Sequence, residues 1–390
     1  MLKYALDIGS YSVRLVSGEF TKDSFEVKGA VSLPTDGYFS GVITNYRKLF
    51  FNILEILSSF EKKYSIKPKK VLLNSSFGNL YHIKECFQRN NSQCPISIQE
   101  IGKLKKQILQ DRISLDEKEI FVQVEEYTID KQSGIVNPEK MLAQSIELAV
   151  NAITIPANVY NTIFSLFSEI SLEIEDLIPE IFAKANLFLT PDDKKAGVML
   201  IDIGWGKVKF AVFKDGVLKN MDVFNSNLKS AHELFQSIYH LDQANLERVL
   251  ESSFIAKEDE LLVQSQTALG NVSVYNIKNA MEKSLKKILY QIRKSMEVEN
   301  IPHSFVGGIV ITGGNILEYP DLENIASEIL RQPVRVEKNK NYSLSNEYST
   351  SLGMLEYAFK KECDYLQRNF KLGLTRKVGQ KLSGVIERYF

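Results

Sequence analysis

Two short acidic turns are the features of this sequence that are best suited to bind phosphate. Residues 7–10 (DIGS) follow an apolar segment that reads as a strand, and residues 202–206 (DIGWG) repeat the arrangement in the second half of the chain. Glycine lets a phosphate approach the backbone, whose N–H groups attract an anion, and the carboxylate of Asp7 or Asp202 can hold a hydrated Mg²⁺. One such turn is more often a plain hairpin turn, but two turns facing each other would clamp a polyphosphate from both sides.

A third glycine-rich motif lies near the end of the chain. Residues 307–314 (GGIVITGG) form an apolar strand that ends in a diglycine. Such a turn lets a flat ring or a ribose approach the backbone, and the alternative is an ordinary strand-to-helix turn. Taken in order, the three motifs resemble the phosphate 1, phosphate 2 and adenosine motifs of the ATP-binding folds shared by actin, heat-shock chaperones and sugar kinases.

Hairpins of strands must position the two acidic turns. Polar and apolar residues alternate on both sides of the first turn, over Tyr4–Ile8 and Ser12–Phe20, and again around the second, over 197–204 and 206–213. Such alternation is typical of paired strands. The two blocks form a weak internal repeat, which predicts two related domains.

The remaining elements are predicted from periodicity and from breakers. The stretch from Val71 to about Ala152 is strand-rich and reads as a small α+β insertion, and Thr190–Asp193 reads as a turn. Helices are predicted at Tyr46–Tyr64, Ile98–Asp111, Asn158–Ile170, Asp176–Leu189, Leu228–Tyr239, Ile277–Glu297 and Tyr319–Leu330.

The composition is that of an ordinary globular protein. The 390 residues carry 48 Lys and Arg against 48 Asp and Glu, and this zero net charge argues against a surface devoted to nucleic acid. The three cysteines form no CxxC pair, so reduced thiols in a cytoplasmic protein are expected. No long apolar stretch follows Lys3 and none approaches the roughly 20 residues that span a bilayer, so we expect neither a signal peptide nor a transmembrane helix.

Within the actin-like superfamily the chain resembles FtsA, the actin-like protein of bacterial cell division. Residues 121–130 (FVQVEEYTID) with 134–138 (GIVNP) are similar to the EYxID…GIxNP pattern of FtsA, which lies in the subdomain called 1C, and residues 307–310 through 348–353 are similar to its closing pattern. The resemblance implies an α/β fold: an actin-like two-domain ATPase fold with an inserted α+β subdomain. The expected divisions are subdomain 1A at 1–70, 153–195 and 345–365; subdomain 1C at 71–152; domain 2 at 196–344, with 2B at roughly 230–300; and a tail at 366–390.

The resemblance also implies roles for the residues at matching positions, with ATP and Mg²⁺ as cofactors. Asp7 and Asp202 would hold Mg²⁺ through water, and Glu180 would orient an attacking water. The residues expected to contact the phosphates are Gly9, Ser10, Tyr11, Gly204, Trp205, Gly206 and Lys207. Those expected near the adenosine are Gly313, Gly314, Asn315 and, in a looser match that a solvated helix face explains equally well, Glu247 and Arg248.

The phosphate 2 turn departs from the family pattern, DIGGGT followed by an acidic residue. Trp205 replaces the middle glycine, Lys207 replaces the threonine, and Lys209 stands near the acidic position. A lysine can pair with a phosphate, but the missing hydroxyl and carboxylate weaken the positioning of metal and water. Phosphoryl transfer depends on that positioning, so we predict nucleotide binding with slow or no hydrolysis.

The last residues predict an amphipathic helix. An apolar stripe beside a face with a side-chain charge of 4 − 1 = +3 is typical of helices that lie on anionic lipid, and the alternative is a surface helix packed on its own protein. FtsA ends in a membrane-targeting helix, which favours the lipid interpretation and a location on the cytoplasmic side of the cell membrane. The apolar residues are Leu374, Val378, Leu382, Val385, Ile386 and Tyr389, and the cations are Arg376, Lys377, Lys381 and Arg388, opposed by Glu387.

A lysine-rich helix is the candidate dock for a partner. In FtsA the corresponding subdomain, 2B, receives the acidic C-terminal peptide of FtsZ, the tubulin-like division protein, and a cationic helix suits such a peptide. The lysines concerned are Lys278, Lys283, Lys286 and Lys287, and the alternative is a solvated charged face.

The resemblance thus implies a polymerising scaffold that tethers FtsZ filaments to the membrane at the division site and recruits other division proteins. One alternative is a PilM-like cytoplasmic component of a pilus or secretion platform. Another is a small-molecule kinase or phosphatase of the same superfamily, for which the sequence identifies no general base.

Overall fold

The computed structural model describes residues 1–363 except for 22–23, 77, 90–91, 227, 229–260, 263–271 and 303. In chain order the described strands are β1 (Leu2–Ile8), β2 (Ser12–Phe20), β3 (Phe25–Pro34), β4 (Tyr38–Phe39), β5 (Val42–Ile43), β6 (Lys70–Ser75), β7 (Asn79–Gln88), β8 (Glu117–Ile129), β9 (Gln132–Ile135), β10 (Ser145–Pro156), β11 (Glu173–Pro179), β12 (Val198–Ile203), β13 (Lys207–Lys214), β14 (Val217–Asn225), β15 (Leu261–Leu262), β16 (Val272–Ser273), β17 (Ile309–Gly313) and β18 (Val334–Val336).

The helices alternate with these strands. They are α1 (Tyr46–Tyr64), α2 (Ile98–Arg112), α3 (Ala157–Glu169), α4 (Glu180–Phe188), α5 (Pro191–Ala196), α6 (Val274–Val298), α7 (Leu322–Leu330) and α8, which spans 349–363 of the described part. Short 3₁₀ turns occupy Asn315–Glu318 and Asn346–Tyr348.

Two five-stranded sheets share one topology. Their orders are β11-β6-β1-β2-β3 and β18-β17-β12-β13-β14. In each, a central strand pairs antiparallel with the next strand of its hairpin and parallel with the strand on its other side, β1 with β6 and β12 with β17. The internal repeat predicted from the two acidic turns is therefore confirmed.

The predicted α+β insertion forms a separate antiparallel sheet of order β7-β10-β8-β9, with α2 packed on it through Ile108. Two of its predicted boundaries shift. Strand β6 pairs with β1 and β11 in the first large sheet, so Val71 does not belong to the insertion, and β10 runs to Pro156. The apolar run of β6 is typical of a buried parallel strand. The other domain boundaries stay predictions.

Helix α4 lies between the two large sheets. Its Ile181 and Phe182 pack with apolar residues of β12, whereas its Ala183 packs with residues of β1 and α8. At Gly353 of α8, an added Cβ would meet the Ala183 carbonyl oxygen at 2.1 Å, so α8 crosses α4 at backbone contact. The outer faces of the sheets are covered by α1 and α3 on the first and by α6 and α7 on the second.

The predicted helix bounds match the structure at α1 and differ from it at α4, α5 and α7. Helix α1 begins after Asn45, whose side chain accepts a hydrogen bond from Lys48 N–H, at the residues predicted. The helix predicted over Asp176–Leu189 is wrong in its first part, because β11 continues to Pro179 and the helix starts at Glu180. The turn predicted at Thr190–Asp193 is instead the capping box of α5. The helix predicted from Tyr319 begins at Leu322.

Candidate functional site: a charged cleft between the two sheets

The two acidic turns have the same backbone geometry. Gly9 N–H donates to the Ser12 carbonyl oxygen at 3.1 Å, and Gly204 N–H donates to the Lys207 carbonyl oxygen at 3.0 Å. Each turn closes the hairpin at the end of the central strand of its sheet. The repeat thus extends from topology to the atoms of the turns.

The turns face each other and touch. The rings of Tyr11 and Trp205 meet with centroids 5.3 Å apart, and a Cβ on Gly206 would lie 2.4 Å from Ser10 Oγ. Ser40, between β4 and β5, joins the turns: its N–H donates to Ser10 Oγ at 2.9 Å and its hydroxyl donates to the Gly206 carbonyl oxygen at 3.0 Å. The predicted convergence of residues 9–11 and 204–206 on one place is present in the structure.

Strand register gives each turn aspartate a basic partner. Asp7 pairs across the hairpin with Arg14, and Asp202 pairs with Lys209. Arg14 Nη1 lies 3.0 Å from Asp7 Oδ2, and Lys209 Nζ lies 3.5 Å from Asp202 Oδ2. The repeat therefore includes a carboxylate and a cation at equivalent positions.

Helix α4 adds a carboxylate and a cation from the other side. Glu180 and Lys184 are one helical turn apart, so both face β12 and β13. Lys184 Nζ lies 2.9 Å from Asp202 Oδ1, and Lys209 Nζ lies 2.8 Å from Glu180 Oε2. The side chains are 7% exposed for Lys184, 1% for Asp202 and 6% for Lys209. The result is a buried cluster of three carboxylates and three cations, which we call the charge cluster: Asp7, Glu180, Asp202, Arg14, Lys184 and Lys209.

The two aspartates titrate in opposite directions. Burial raises the pKa of Asp7 to about 6, and its partner Arg14 only partly offsets this effect. Burial would also raise the pKa of Asp202, but the charges of Lys184 and Lys209 outweigh it and hold that pKa below its usual value of 3.8. In the described part of the chain Asp7 Oδ1 has no hydrogen-bond partner, which suits a carboxyl group that takes up a proton.

Asp7 and Asp202 do not fit the predicted role of holding Mg²⁺. Each carboxylate is buried against an internal cation, and the charge cluster sums to zero. A divalent ion placed there would meet the ammonium groups of two lysines in a medium of low dielectric, where repulsion is strong. Among the described residues no three His, Cys, Asp or Glu side chains form a metal-binding group.

Other predicted roles near the cleft also change. Glu180 bonds Lys209 through Oε2 and accepts a hydrogen bond from Thr350 Oγ1 at 3.4 Å through Oε1, so both oxygens that would orient a water are engaged. Lys209 binds the carboxylates of Glu180 and Asp202, whereas the sequence alone also allows a phosphate contact. Lys207 is half-buried, and burial together with the neighbouring Lys209 lowers its pKa.

The predicted adenosine turn lies at the end of β17, beside β12. Gly313 is buried, and a Cβ there would meet the Ile203 carbonyl oxygen at 2.4 Å, whereas Gly314 is exposed with open space around it. Asn315 begins the 3₁₀ turn that follows. The predicted apolar strand that ends in the diglycine is therefore present as β17, and its contact with an adenosine stays a prediction.

Several predicted residues lie outside the described part of the chain. They are Glu247, Arg248, the helix Leu228–Tyr239 apart from Leu228, and every tail residue from Leu374 to Tyr389. The lysine-rich helix is present as α6, with Lys283, Lys286 and Lys287 exposed; Lys286 forms an ion pair with Glu282. In the same described part, no helix is long and apolar enough to cross a bilayer.

Sequence reasoning missed Arg14, Lys184 and Ser40. Arg14 follows Asp7 in the sequence by the same number of residues as Lys209 follows Asp202. Comparing the register of the two hairpins would therefore have revealed Arg14. Lys184 is the one basic residue of α4, in the segment EIFAKANLF, and a cation in a helix this apolar signals a buried partner. Nothing in the sequence indicates the role of Ser40, because its position depends on the conformation of its loop, in which Ser40 itself has a φ of 51°.

The insertion matches a family model described as "SHS2 domain inserted in FTSA" over residues 81–154. Curated relatives named "Cell division protein FtsA" align with nearly the whole chain. The Pseudomonas aeruginosa protein is 25% identical over 414 residues, covering 98% of this chain and 95% of the relative. The Bacillus subtilis protein is 22% identical over 379 residues, covering 92% and 83%. The resemblance to FtsA inferred from the motifs is confirmed.

Solved structures of similar fold support the predicted architecture. A chain of a PilM-PilN type IV pilus biogenesis complex superposes with a TM-score of 0.60 at 15% identity, covering 90% of this chain and 97% of that chain. MreB 5 of Spiroplasma citri bound to AMPPNP gives 0.51 at 13% identity, covering 95% and 98%. The actin-like fold with its inserted subdomain is confirmed.

Proposed function

We propose that this chain, a relative of FtsA built on the actin-like fold, is a polymerising scaffold of bacterial cell division that tethers FtsZ filaments to the inner face of the cytoplasmic membrane. The observation that carries the proposal is the insertion: its sheet β7-β10-β8-β9 with α2 corresponds to the SHS2 domain of FtsA. Similarity to FtsA proteins over nearly the full length supports it. Recruitment of other division proteins is part of the same proposal.

The dock for FtsZ in this proposal is the exposed side of α6. Met281, Leu285 and Ile288 bury the opposite side of the helix against the second sheet. Lys283 and Lys287 are exposed, and one helical turn separates them, so they present two positive charges on one surface. An acidic peptide would be attracted to that surface by long-range electrostatics and held by charge-assisted hydrogen bonds.

The membrane contact in this proposal is the tail. Its apolar stripe would enter the interface while its cations face anionic headgroups. Gly379 and Gly384 each lower helix stability by about 1 kcal/mol, so lipid would supply the energy that orders the helix. Vesicles with anionic lipid should therefore bind the full chain far more strongly than neutral vesicles.

We place an adenine nucleotide between the two acidic turns and the diglycine turn, as the resemblance implies. The predicted metal ligands do not fit that role and both oxygens of Glu180 are engaged, so we expect turnover to be negligible. Trp205 lies in the second turn against Tyr11, so its fluorescence should respond to a saturating nucleotide.

Co-sedimentation with FtsZ filaments and vesicles tests the scaffold proposal. We expect the full chain to bring FtsZ filaments onto anionic vesicles, a chain ending at residue 373 to leave them in solution, and Lys283→Glu/Lys287→Glu to keep vesicle binding while losing FtsZ. The matched control is Lys103→Glu/Lys106→Glu, which reverses two exposed charges on α2 and should behave as the unaltered chain.

Three results would overturn the proposal. Equal vesicle binding by the full and shortened chains would show that the tail is not the membrane contact. Failure to bind FtsZ together with binding to the N-terminal peptide of a pilus or secretion partner would favour a PilM-like role, for which the fold similarity provides the precedent. Phosphorylation of a small acceptor at ordinary enzyme rates would instead indicate a kinase.

A further inference from the structure

The charge cluster joins the two halves of the molecule. Lys184 comes from α4, which follows the last strand of the first sheet, and its partner Asp202 is in β12 of the second sheet. In a second ion pair the cation comes from the second half: Lys209 of β13 pairs with Glu180 of α4. Two ion pairs with donors from opposite halves therefore cross the same boundary.

The cluster lies at the end of the central strands, next to the two acidic turns. Asp7 and Asp202 occupy equivalent positions of the two sheets, one residue before the end of β1 and β12. Two buried carboxylates at this place would normally call for a cation to compensate them. Here side chains of the protein supply that charge.

Lys184 and Lys209 are committed to this role. Lys209 Nζ lies 2.8 Å from Glu180 Oε2 and 3.5 Å from Asp202 Oδ2, and the side chain is 6% exposed. Lys184 Nζ donates to Asp202 Oδ1 at 2.9 Å. Breaking such a pair leaves an uncompensated charge in the interior, which is costly, so neither lysine is available to a ligand without rearrangement.

We propose that the ammonium groups of Lys184 and Lys209 take the place of the divalent cation at this cleft. They neutralise its carboxylates and hold the two halves of the protein together, so that closure of the cleft requires no Mg²⁺. Beside them, the Ser40 hydroxyl donates to the Gly206 carbonyl oxygen at 3.0 Å and adds a direct hydrogen bond across the same boundary.

The inference concerns the cation alone and goes beyond the proposed role in division. Binding of FtsZ or of vesicles does not enter its test, so the two proposals fail independently. The probe is Mg²⁺ itself, added to the full chain in the absence of nucleotide, with KCl of equal ionic strength as the control for screening.

The first measurement follows thermal unfolding and acrylamide quenching of Trp205 in the unaltered protein. Trp205 packs on Tyr11 across the cleft, so opening would expose it. We expect no saturable rise of the unfolding midpoint with Mg²⁺, and the same quenching in EDTA as in Mg²⁺. A saturable rise, or greater quenching in EDTA, would overturn the proposal.

The second measurement uses Lys209→Met, which leaves Glu180 and Asp202 with less compensation. We expect a lower unfolding midpoint that Mg²⁺ raises in a saturable way, because a ligand that binds only the folded state stabilises it. The matched control is Lys194→Met, which removes a half-buried lysine that packs on Phe213 outside the charge cluster. It should show no response to Mg²⁺.

A folded Lys209→Met protein that ignores Mg²⁺ would contradict the proposal. Should that variant fail to fold, Lys184→Gln is the substitute, since Asp202 keeps Lys209 and the glutamine can still donate to Asp202. The same gain of a Mg²⁺ response is expected there, and its absence in the folded variant would again contradict the replacement of metal by lysine.

Discussion

The two hairpin ends of this protein share a backbone and differ in charge. Both have an aspartate before an Ile-Gly turn, a closing bond from the glycine N–H, and a basic residue opposite the aspartate. Asp7 forms an ion pair with Arg14, whereas Asp202 forms ion pairs with both Lys184 and Lys209. One duplicated element thus produces a carboxyl group with a raised pKa and another with a lowered pKa. The second cation, supplied by α4, makes the difference.

The largest expected effect is on stability. Lys209→Met should lower the free energy of unfolding by about 3–5 kcal/mol, the range for removing one partner of a buried pair. Arg14→Met should cost less at pH 6, because Asp7 can accept a proton there. Denaturant unfolding of both variants measures the difference. Equal losses would show that the two hairpin ends are energetically alike.

Next in size is the pH dependence. Burial raises the pKa of Asp7 from 3.8 to about 6, so the folded state binds more protons between these values and stability falls as pH rises through that window, by up to about 3 kcal/mol. Asp202 has a lowered pKa, so its contribution is present above 3.8 and is lost as pH falls below it.

Asp7→Asn isolates the first of these effects. We expect the variant to lose the decline in unfolding free energy between pH 4 and about pH 7, measured by denaturant titration at each pH. Ser17→Ala, a buried uncharged position on the adjacent strand β2, is the control and should keep the decline. If the unfolding free energy of Asp7→Asn still declined with pH, the decline would belong to another titrating group.

A smaller effect is expected from coupling across the cluster. In a double-mutant cycle of Glu180→Gln and Lys209→Met, the double variant should be more stable than the sum of single losses predicts, by about 1–3 kcal/mol. The same cycle with Glu180→Gln and Arg14→Met should give less, since Arg14 contacts Asp7 and Glu347. Equal coupling in both cycles would contradict the asymmetry of the two ends.

The smallest effect concerns the contact between the turns. Gly206→Ala places a methyl group 2.4 Å from Ser10 Oγ, so it should cost about 1–3 kcal/mol and shift the emission of Trp205. Gly102→Ala, at an exposed position of α2 with open space, should be neutral or slightly stabilising. Unchanged Trp205 emission in Gly206→Ala would contradict the contact between the two turns.

Much of the fold follows from local patterns in the sequence. The repeat was visible because each DIG turn lies between alternating strands, and α1 because its residues follow a helical pattern from Tyr46 to Tyr64. The sequence did not reveal that β11 occupies residues predicted as the start of a helix. The pattern of Glu173–Ile178 is compatible with a strand or a helix until its pairing with β6 is known. Sheet pairing is a long-range property, so it overrides local preference.

The position of the site follows from the sequence, but the charges that compensate its carboxylates do not. Residues 7–11 and 202–207 meet as expected, yet the carboxylates assigned to metal are bound to lysine and arginine. Lys209 departs visibly from the family pattern, but its partner Glu180 is known only once α4 is placed against β13. A charge in a motif can be interpreted only with the charges that other elements bring to it.

The most direct test of the account is anomalous diffraction from crystals of the full chain grown with Mn²⁺ in place of Mg²⁺. We expect no anomalous peak between the carboxylates of Asp7 and Asp202, and side-chain density for Lys184 and Lys209 against Asp202. A manganese peak between the two aspartates, with either lysine turned away, would contradict the replacement of the metal by lysine.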